Sequence, residues 1–340
     1  MKPTVRLYAG ECQWCALNAA DPEDLCTFRQ MIGERTNFWS LEFSGRRGAT
    51  LARLVIDGHW TGNLSLGQRL LNEVAQRWPS DSRVDCLCTC GAFVTFPWPD
   101  TVPVQIDNRF PDDTAIEILK QHAESAVRRL LSNGLRESLS ALADYMTVGA
   151  DTKKAKISST DNRIPEPHTE LVIVVNLKGG GMHFTGKSYP TPGQEKGLLR
   201  IQALDSHFLE LCGKETMVLG CHDLTMFNPR SDAKATGWRA KVKKQFKAES
   251  NQRRPVQVLH HPHTTVKRMT WQNAWNGLQR DVPSVKRYLG TGCYSYRDTC
   301  KERDPLDGVL SSTASDGIMD VLVHLAGWAQ KQQLSYRERS

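Results

Sequence analysis

The stretch VLGCHDLTMFNPR, residues 218–230, runs a strand-like apolar segment straight into Cys221, His222 and Asp223 and closes on a Phe-Asn-Pro-Arg turn. Proline has no backbone N–H with which to continue a ladder, so the strand ends on the glycine-cysteine pair. A thiol placed where a strand stops lies at a sheet edge, where open α/β folds build their sites. Three roles are open to it: nucleophile, metal ligand, or small buried hydrophobe, the commonest state of a free cysteine. A nucleophile must be thiolate, so a cation or positive dipole has to pull its pKa down from about 8.5. His222 and Lys187 are the candidates for that field.

Outward from this point the chain alternates strands and helices. ELVIVVNL (170–177) is the strongest strand pattern, turned by Gly179, Gly180 and Gly181 into MHFTGKSYP as a hairpin. LARLVIDG (51–58) reads as a buried strand, and GQRLLNEVAQRW (67–78) as a helix with Leu70, Leu71, Val74 and Trp78 on one face. GAFVTFPWPD (91–100) predicts a strand stopped by two prolines. From Asp113 the register is helical through TAIEILKQHAESAVRRLL and LRESLSALADYM, and TVGAD predicts a short strand leaving it. Residues 151–168 are polar with two prolines and read as a long loop. Downstream, WRAKVKKQF predicts a basic amphipathic helix, VQVLHHPH a strand, TWQNAWNGL a helix and SVKRYLGTGCYSY a strand. The pattern gives a layered α/β domain over residues 49–326, with 1–48 as an extension of unassigned role and 327–340 as a polar tail.

Composition narrows the class. At 340 residues, 39% hydrophobic and 24% charged, the chain has the makings of a soluble globular protein with a large core. No apolar run approaches the roughly 18–20 residues of a membrane span. The opening MKPTVRLYAGECQWC lacks the apolar region of a secretory signal. A cytoplasmic location is therefore expected. In a reducing compartment the ten cysteines are thiols, ligands or a nucleophile rather than disulfides. Cys12, Cys15, Cys86, Cys88 and Cys90 offer enough thiols for a zinc site, but the alternating spacing of the last three puts them on one strand face, where packing is the simpler role. Much of the net charge of +7 falls between Lys234 and Arg254. Lys241, Lys243, Lys244 and Lys247 there form a basic face for nucleic acid or another anionic partner, without interleaved aromatics for base stacking.

Taken in order, LADYMTVGAD (142–151), ELVIVVNLKGGGMHFTGKSYPTPGQE (170–195) and LGCHDLTMFNPR (219–230) resemble the nitrilase, or carbon–nitrogen hydrolase, superfamily. In that family a hairpin ends on an aromatic-Arg-Lys motif, and a nucleophile elbow of the form Cys-Tyr-Asp-x-x-Phe-Pro-Glu follows a few tens of residues later. The elbow here matches in Cys221, Asp223, Phe227 and Pro229, with one extra residue before the phenylalanine and one before the proline. VLHHPHTTVKRMTWQNAW (258–275) stands where the family has a strand, a site loop and a Trp-led helix, and LARLVIDG, the 67–78 helix and GAFVTFPWP resemble its opening elements.

The resemblance covers roughly residues 49–320 and implies a four-layer αββα sandwich. It implies that the Cys221 thiolate attacks the amide or nitrile carbon of a small-molecule substrate, that Lys187 stabilises the oxyanion, and that a carboxylate acts as general base. No metal or other cofactor is expected, and a homo-oligomer is. His222 would tune the thiol, and His260, His261 and Trp271 would line the pocket. One position departs: Trp98 stands where the family's glutamate follows Phe-Pro, leaving Asp100 and Glu195 as the carboxylates to hand. That departure keeps open a catalytically silent domain serving as sensor or scaffold. The cluster His260, His261 and His263, with His222 and Asp223, keeps open a metal-dependent phosphoesterase, since imidazole and carboxylate suit Zn, Mn or Fe. Against the latter, the Asp-x-His, Gly-Asp and Gly-His-x-His blocks of calcineurin-like enzymes are missing.

Overall fold

The computed structural model describes residues 39–44, 48–103, 112–153, 166–191, 194, 197–230, 237–295 and 303–325. Twelve strands and six α-helices lie among them: β1 (Trp39–Ser44), β2 (Leu51–Asp57), α1 (Leu64–Arg77), β3 (Val84–Cys88), β4 (Val94–Phe96), α2 (Asp113–Leu130), α3 (Leu135–Ser140), β5 (Ala143–Thr152), β6 (Glu170–Asn176), β7 (Met182–Gly186), β8 (Phe208–Leu211), β9 (Lys214–Leu219), α4 (Gly237–Arg253), β10 (Gln257–His260), α5 (Arg268–Asp281), β11 (Arg287–Gly290), α6 (Leu306–Thr313) and β12 (Ile318–Leu325).

The strands form two sheets. The larger has the order β1-β12-β2-β3-β5-β6-β7, with β4 pairing to β5, and the smaller the order β11-β10-β9-β8. Parallel pairs fill the middle of the larger sheet, and β6 and β7 continue it as the antiparallel hairpin expected around Gly179–Gly181. Side chains alternate between two faces along each strand. Thus Leu171, Ile173 and Val175 of β6 join the core beneath α1, α2 and α3, while Val172 and Val174 meet Val218, Leu259 and Leu289 of the smaller sheet. On the far side, Met217, Leu219 and Val258 pack against Val242 and Phe246 of α4 and Trp271, Trp275 and Leu278 of α5. The layers run helix, sheet, sheet, helix, the αββα order that the resemblance implies. Strands covered on both faces explain the unbroken buried runs at 51–56 and 171–175.

Helix ends follow their local chemistry. Asn63 caps α1 by accepting from the Leu66 N–H, and Asp112 caps α2 by accepting from Thr114 and Ala115, satisfying donors that have no partner within the helix. Leu70, Leu71, Val74 and Trp78 are buried together, as their spacing predicts.

Several expectations shift. The larger sheet starts at Trp39, where β1 lies antiparallel to β12, so the folded body reaches ahead of residue 49. Residues 1–38 and the tail 327–340 lie outside the described residues. Cys86 and Cys88 do share a face, with sulfurs 3.8 Å apart between the sheets. Cys90, beyond the end of β3, sits instead in the helix-side core, 3.9 Å from Cys293. The basic segment is not one solvated face: Lys241 and Lys244 are exposed, Lys243 is buried, and Lys247 pairs with Asp281 at 2.6 Å.

A buried arginine joins the two sheets. Arg53 of β2 donates through Nε to Asp320 of β12 at 2.5 Å, through Nη1 to Gly290 O of β11 and Thr313 Oγ1, and through Nη2 to Leu310 O of α6. Removing it leaves a largely buried carboxylate and two carbonyls without their partner. We expect Arg53→Ala to lower unfolding free energy by about 3–5 kcal/mol in urea titration; a loss under about 1 kcal/mol would show that these contacts do not hold the sheets together.

Candidate functional site

The chemistry gathers where the ends of β5, β6 and β7 meet the end of β9. Asp151 of β5 and Glu170 of β6 are register partners, and Lys187 directly follows β7. Glu170 shares the parity of Val172 and Val174, so its side chain belongs to the face turned toward the smaller sheet. From that sheet comes Cys221, the second residue after β9.

Two local devices bring the elbow against the lysine. A Cβ on Gly220 would lie 2.7 Å from Lys187 N and 2.8 Å from its Cα, so no larger residue fits at that crossing. Asp223 then holds the two segments in register: its carboxylate accepts from the N–H groups of Ser188 and Tyr189 at 3.0 and 2.8 Å and from Gly220 N–H at 3.0 Å. Burial pushes the Asp223 carboxyl above its ordinary range, against the pull of His207 and these donors.

Inside the site, Lys187 Nζ donates to both Glu170 oxygens at 3.0 Å and to Gln194 Oε1 at 2.6 Å. Gln194 returns a hydrogen bond from Nε2 to Glu170 Oε1 at 2.9 Å, closing a ring of three side chains. His263 Nε2 lies 2.8 Å from Asp151 Oδ2 and 3.8 Å from Glu170 Oε2. Donor atoms of Glu170, Cys221 and His263 all fall within 4.8 Å of one another. The backbone N–H of His263 also points at Cys221 Sγ, at 3.4 Å.

The electrostatics follow from this packing. Burial pushes the Cys221 thiol up, but His263 first and His222 next more than offset it and hold the thiol well below its ordinary range. Burial opposes charge on His263 too, yet Cys221, Asp151 and Glu170 together raise it well above the usual imidazole value. Cys221 and His263 thus each favour the other's charged form, which points to a thiolate–imidazolium pair. Glu170, despite burial, is drawn well below the carboxylate range by His263 and Lys187. Lys187, despite burial, is raised by Glu170 and Cys221 and keeps its proton. Asp151 is raised by burial, with His263 opposing.

The remaining expected residues fall elsewhere. Asp100 is exposed on the turn after β4, since the chain leaves the sheet at Pro97, and the carboxylates beside Cys221 are Glu170 and Asp151. Glu195 lies outside the described residues. His260 does not line a pocket: its Nε2 donates to Cys221 O, its ring packs 4.9 Å from Trp271, and burial lowers its pKa to about 3. Trp271 belongs to the core under α5. His261 donates from Nδ1 to Thr89 O and is lowered by burial to about 4. Both histidines are neutral supports of the loop, so no His260–His261–His263 metal cluster assembles. A divalent ion could find donors in Glu170, Cys221 and His263, but the Lys187 ammonium already sits on both Glu170 oxygens and would repel it.

No family model matches the chain, and no curated protein matches it. Solved structures do. A mutant of the Nesterenkonia AN1 amidase from the nitrilase superfamily is 12% identical over 73% of this chain and 78% of that one, with a TM-score of 0.42. A second mutant of that amidase, with the acetamide moiety of fluoroacetamide added covalently at its active-site cysteine, is 12% identical over 87% and 99%, with a TM-score of 0.40. A carbon–nitrogen hydrolase from Helicobacter pylori G27 is 10% identical over 81% and 80%, with a TM-score of 0.37. These values are low, and the chemistry of the site stands on the distances above.

A thiolate held by His263 should react with iodoacetamide at pH values where an ordinary thiol is protonated. Because the Cys221 pKa is depressed, its alkylation rate should stay level from pH 9 down past 7 and fall only toward acid. In His263→Asn the fall should begin at least one pH unit higher. Identical profiles for the two proteins would refute the ion pair.

Proposed function

We propose that the chain is a divergent nitrilase-like hydrolase that cleaves the C–N bond of a small amide or nitrile through a covalent intermediate on Cys221. The observation that carries this is the buried meeting of Cys221, Glu170 and Lys187: Lys187 Nζ lies 3.0 Å from both Glu170 oxygens, and Glu170 and Cys221 bring donor atoms within 4.8 Å of each other. Burying charge is costly, and clusters of buried groups with perturbed pKa values are enriched at catalytic sites.

Each residue has a part set by its geometry. Cys221 attacks the electrophilic carbon and forms a thioester from an amide, or a thioimidate from a nitrile. Lys187 offers a fixed positive charge to the oxygen or nitrogen on which negative charge develops. Glu170, with Gln194, keeps the ammonium aimed and takes the carboxylate place that Trp98 leaves vacant in the motif. His222 adds a hydrogen bond that favours the thiolate. This arrangement favours a working site over a silent scaffold, and the histidine cluster that the phosphoesterase alternative needs does not assemble.

The same reading brings a reducing, cytoplasmic setting, in which free thiols persist, and a homo-oligomer, which light scattering on the purified chain would detect. Among the described residues, no helix is long and apolar enough to cross a membrane.

The direct test offers the purified protein a panel of small aliphatic amides and nitriles, follows ammonia release, and weighs the protein after rapid acid quench. Wild type should release ammonia and carry the acyl mass on Cys221, while Cys221→Ala should lose both, a drop of at least 10³-fold. Release that survives Cys221→Ala, or none from wild type, would remove the proposal.

A further inference from the structure

A C–N hydrolase needs a group that protonates the departing nitrogen and later takes a proton from water, and such a group works best with a pKa near the operating pH. Glu170 is poorly suited. Both of its oxygens accept from Lys187, Gln194 holds one of them as well, and its proton affinity is suppressed by two neighbouring cations. Lys187 is equally committed as a permanent cation. Two ionisable groups in the cluster reach the sulfur without being sealed from solvent, His222 and His263; of these, His263, whose side chain is 36% exposed, has the Asp151 carboxylate 2.8 Å from its Nε2 to orient it.

Resting on the hydrolase reading above, we infer that His263, oriented by Asp151, is the proton carrier of the reaction, so that a cysteine–histidine–aspartate relay works beside the lysine–glutamate pair. The placement is built in. Pro262 O accepts from Gly91 N–H at 3.1 Å, His263 O accepts from Cys293 N–H at 2.9 Å, and His263 N–H faces the sulfur, so backbone contacts on three sides fix the residue. A Cβ on Gly91 would come 2.5 Å from His263 Cδ2, so the neighbouring strand end is kept bare for the ring. Asp151 lies 2.8 Å from Nε2, and the inference gives the proton transfers to the other ring nitrogen, Nδ1. The charged and titratable groups around the ring are Cys221, Asp151 and Glu170 in contact, with Lys187, His222 and Cys293 beyond them.

The steps balance. The Cys221 thiolate attacks the carbonyl carbon and the C=O pair moves onto oxygen beside Lys187. Collapse reforms C=O and breaks C–N, and the His263 imidazolium gives its proton to the leaving nitrogen, which departs as a neutral amine or ammonia. A thioester and a neutral imidazole remain. Acylation has also removed the thiolate, the strongest of the groups that held the proton on His263, so the ring has become a base at the step that needs one. It takes a proton from the attacking water, C–S breaks, and the carboxylic acid leaves behind the thiolate–imidazolium pair.

The test compares leaving groups in the full chain. An amide needs its nitrogen protonated; a p-nitrophenyl ester does not. For wild type, His263→Asn, Asp151→Asn and Glu170→Gln, we would measure amide turnover and the single-turnover burst of p-nitrophenolate from matched acyl donors. In His263→Asn the amide rate should fall about 10²–10⁴-fold, and the ester burst, read above pH 9 where the thiol is ionised without help, by tenfold or less. Asp151→Asn should show the same selectivity more weakly. An equal fall on both donors in His263→Asn, or amide-selective loss in Glu170→Gln instead, would overturn the assignment while leaving the cysteine hydrolase standing. A wild type that acylates with neither donor would remove the hydrolase reading itself, and this inference with it.

Discussion

An ammonium sealed between two β-sheets tolerates very few surroundings. Lys187 is 1% exposed, and an isolated charge at such depth would give up its proton or unfold the region around it. Glu170 prevents both by presenting two oxygens at 3.0 Å. To do so it must open β6 at the right parity, β7 must return beside β6 in a fixed register, and Gly220 must let the neighbouring sheet come close. The hairpin, the sheet-to-sheet approach and the elbow are thus all conditions for keeping one cation and one anion together where water cannot solvate them.

Around that pair the site separates two electrostatic tasks. Lys187 and Glu170 are locked to each other, and neither has a reason to change protonation. Cys221 and His263 are held by each other's charge, so chemistry at the sulfur changes the proton affinity of the imidazole directly. A fixed charge for the developing anion and a responsive group for the proton can therefore coexist a few ångströms apart.

The fold was readable where residues are covered on both faces. ELVIVVNL and LARLVID can only be strands of a sandwich interior, and the 67–78 face packs as its spacing requires. The edges were harder: β1 and β12 sit at or near the rim, and their pairing partners are more than two hundred and fifty residues apart. In the site, Lys187 and Cys221 stood out as ionisable residues ending strands. Glu170 and Asp151 did not, because a carboxylate beginning or closing a strand acquires its meaning from the neighbouring strand, and register is invisible in one chain's order. Glu170 did leave a trace, as a lone acid opening a fully buried run. The histidines show the other limit: in HHPH, Pro262 turns the chain so that His260 and His261 face the core while His263 alone reaches the sulfur, and nothing in the letters distinguishes them.

Asp223 touches no reacting atom, yet its three backbone contacts fasten the cysteine turn to the strand end that carries the lysine. The two reactive groups are consequently inherited as a single rigid body and cannot drift apart independently. The separation of thiol and ammonium is therefore a mechanical invariant of the fold, set by one carboxylate and one glycine rather than by either side chain itself.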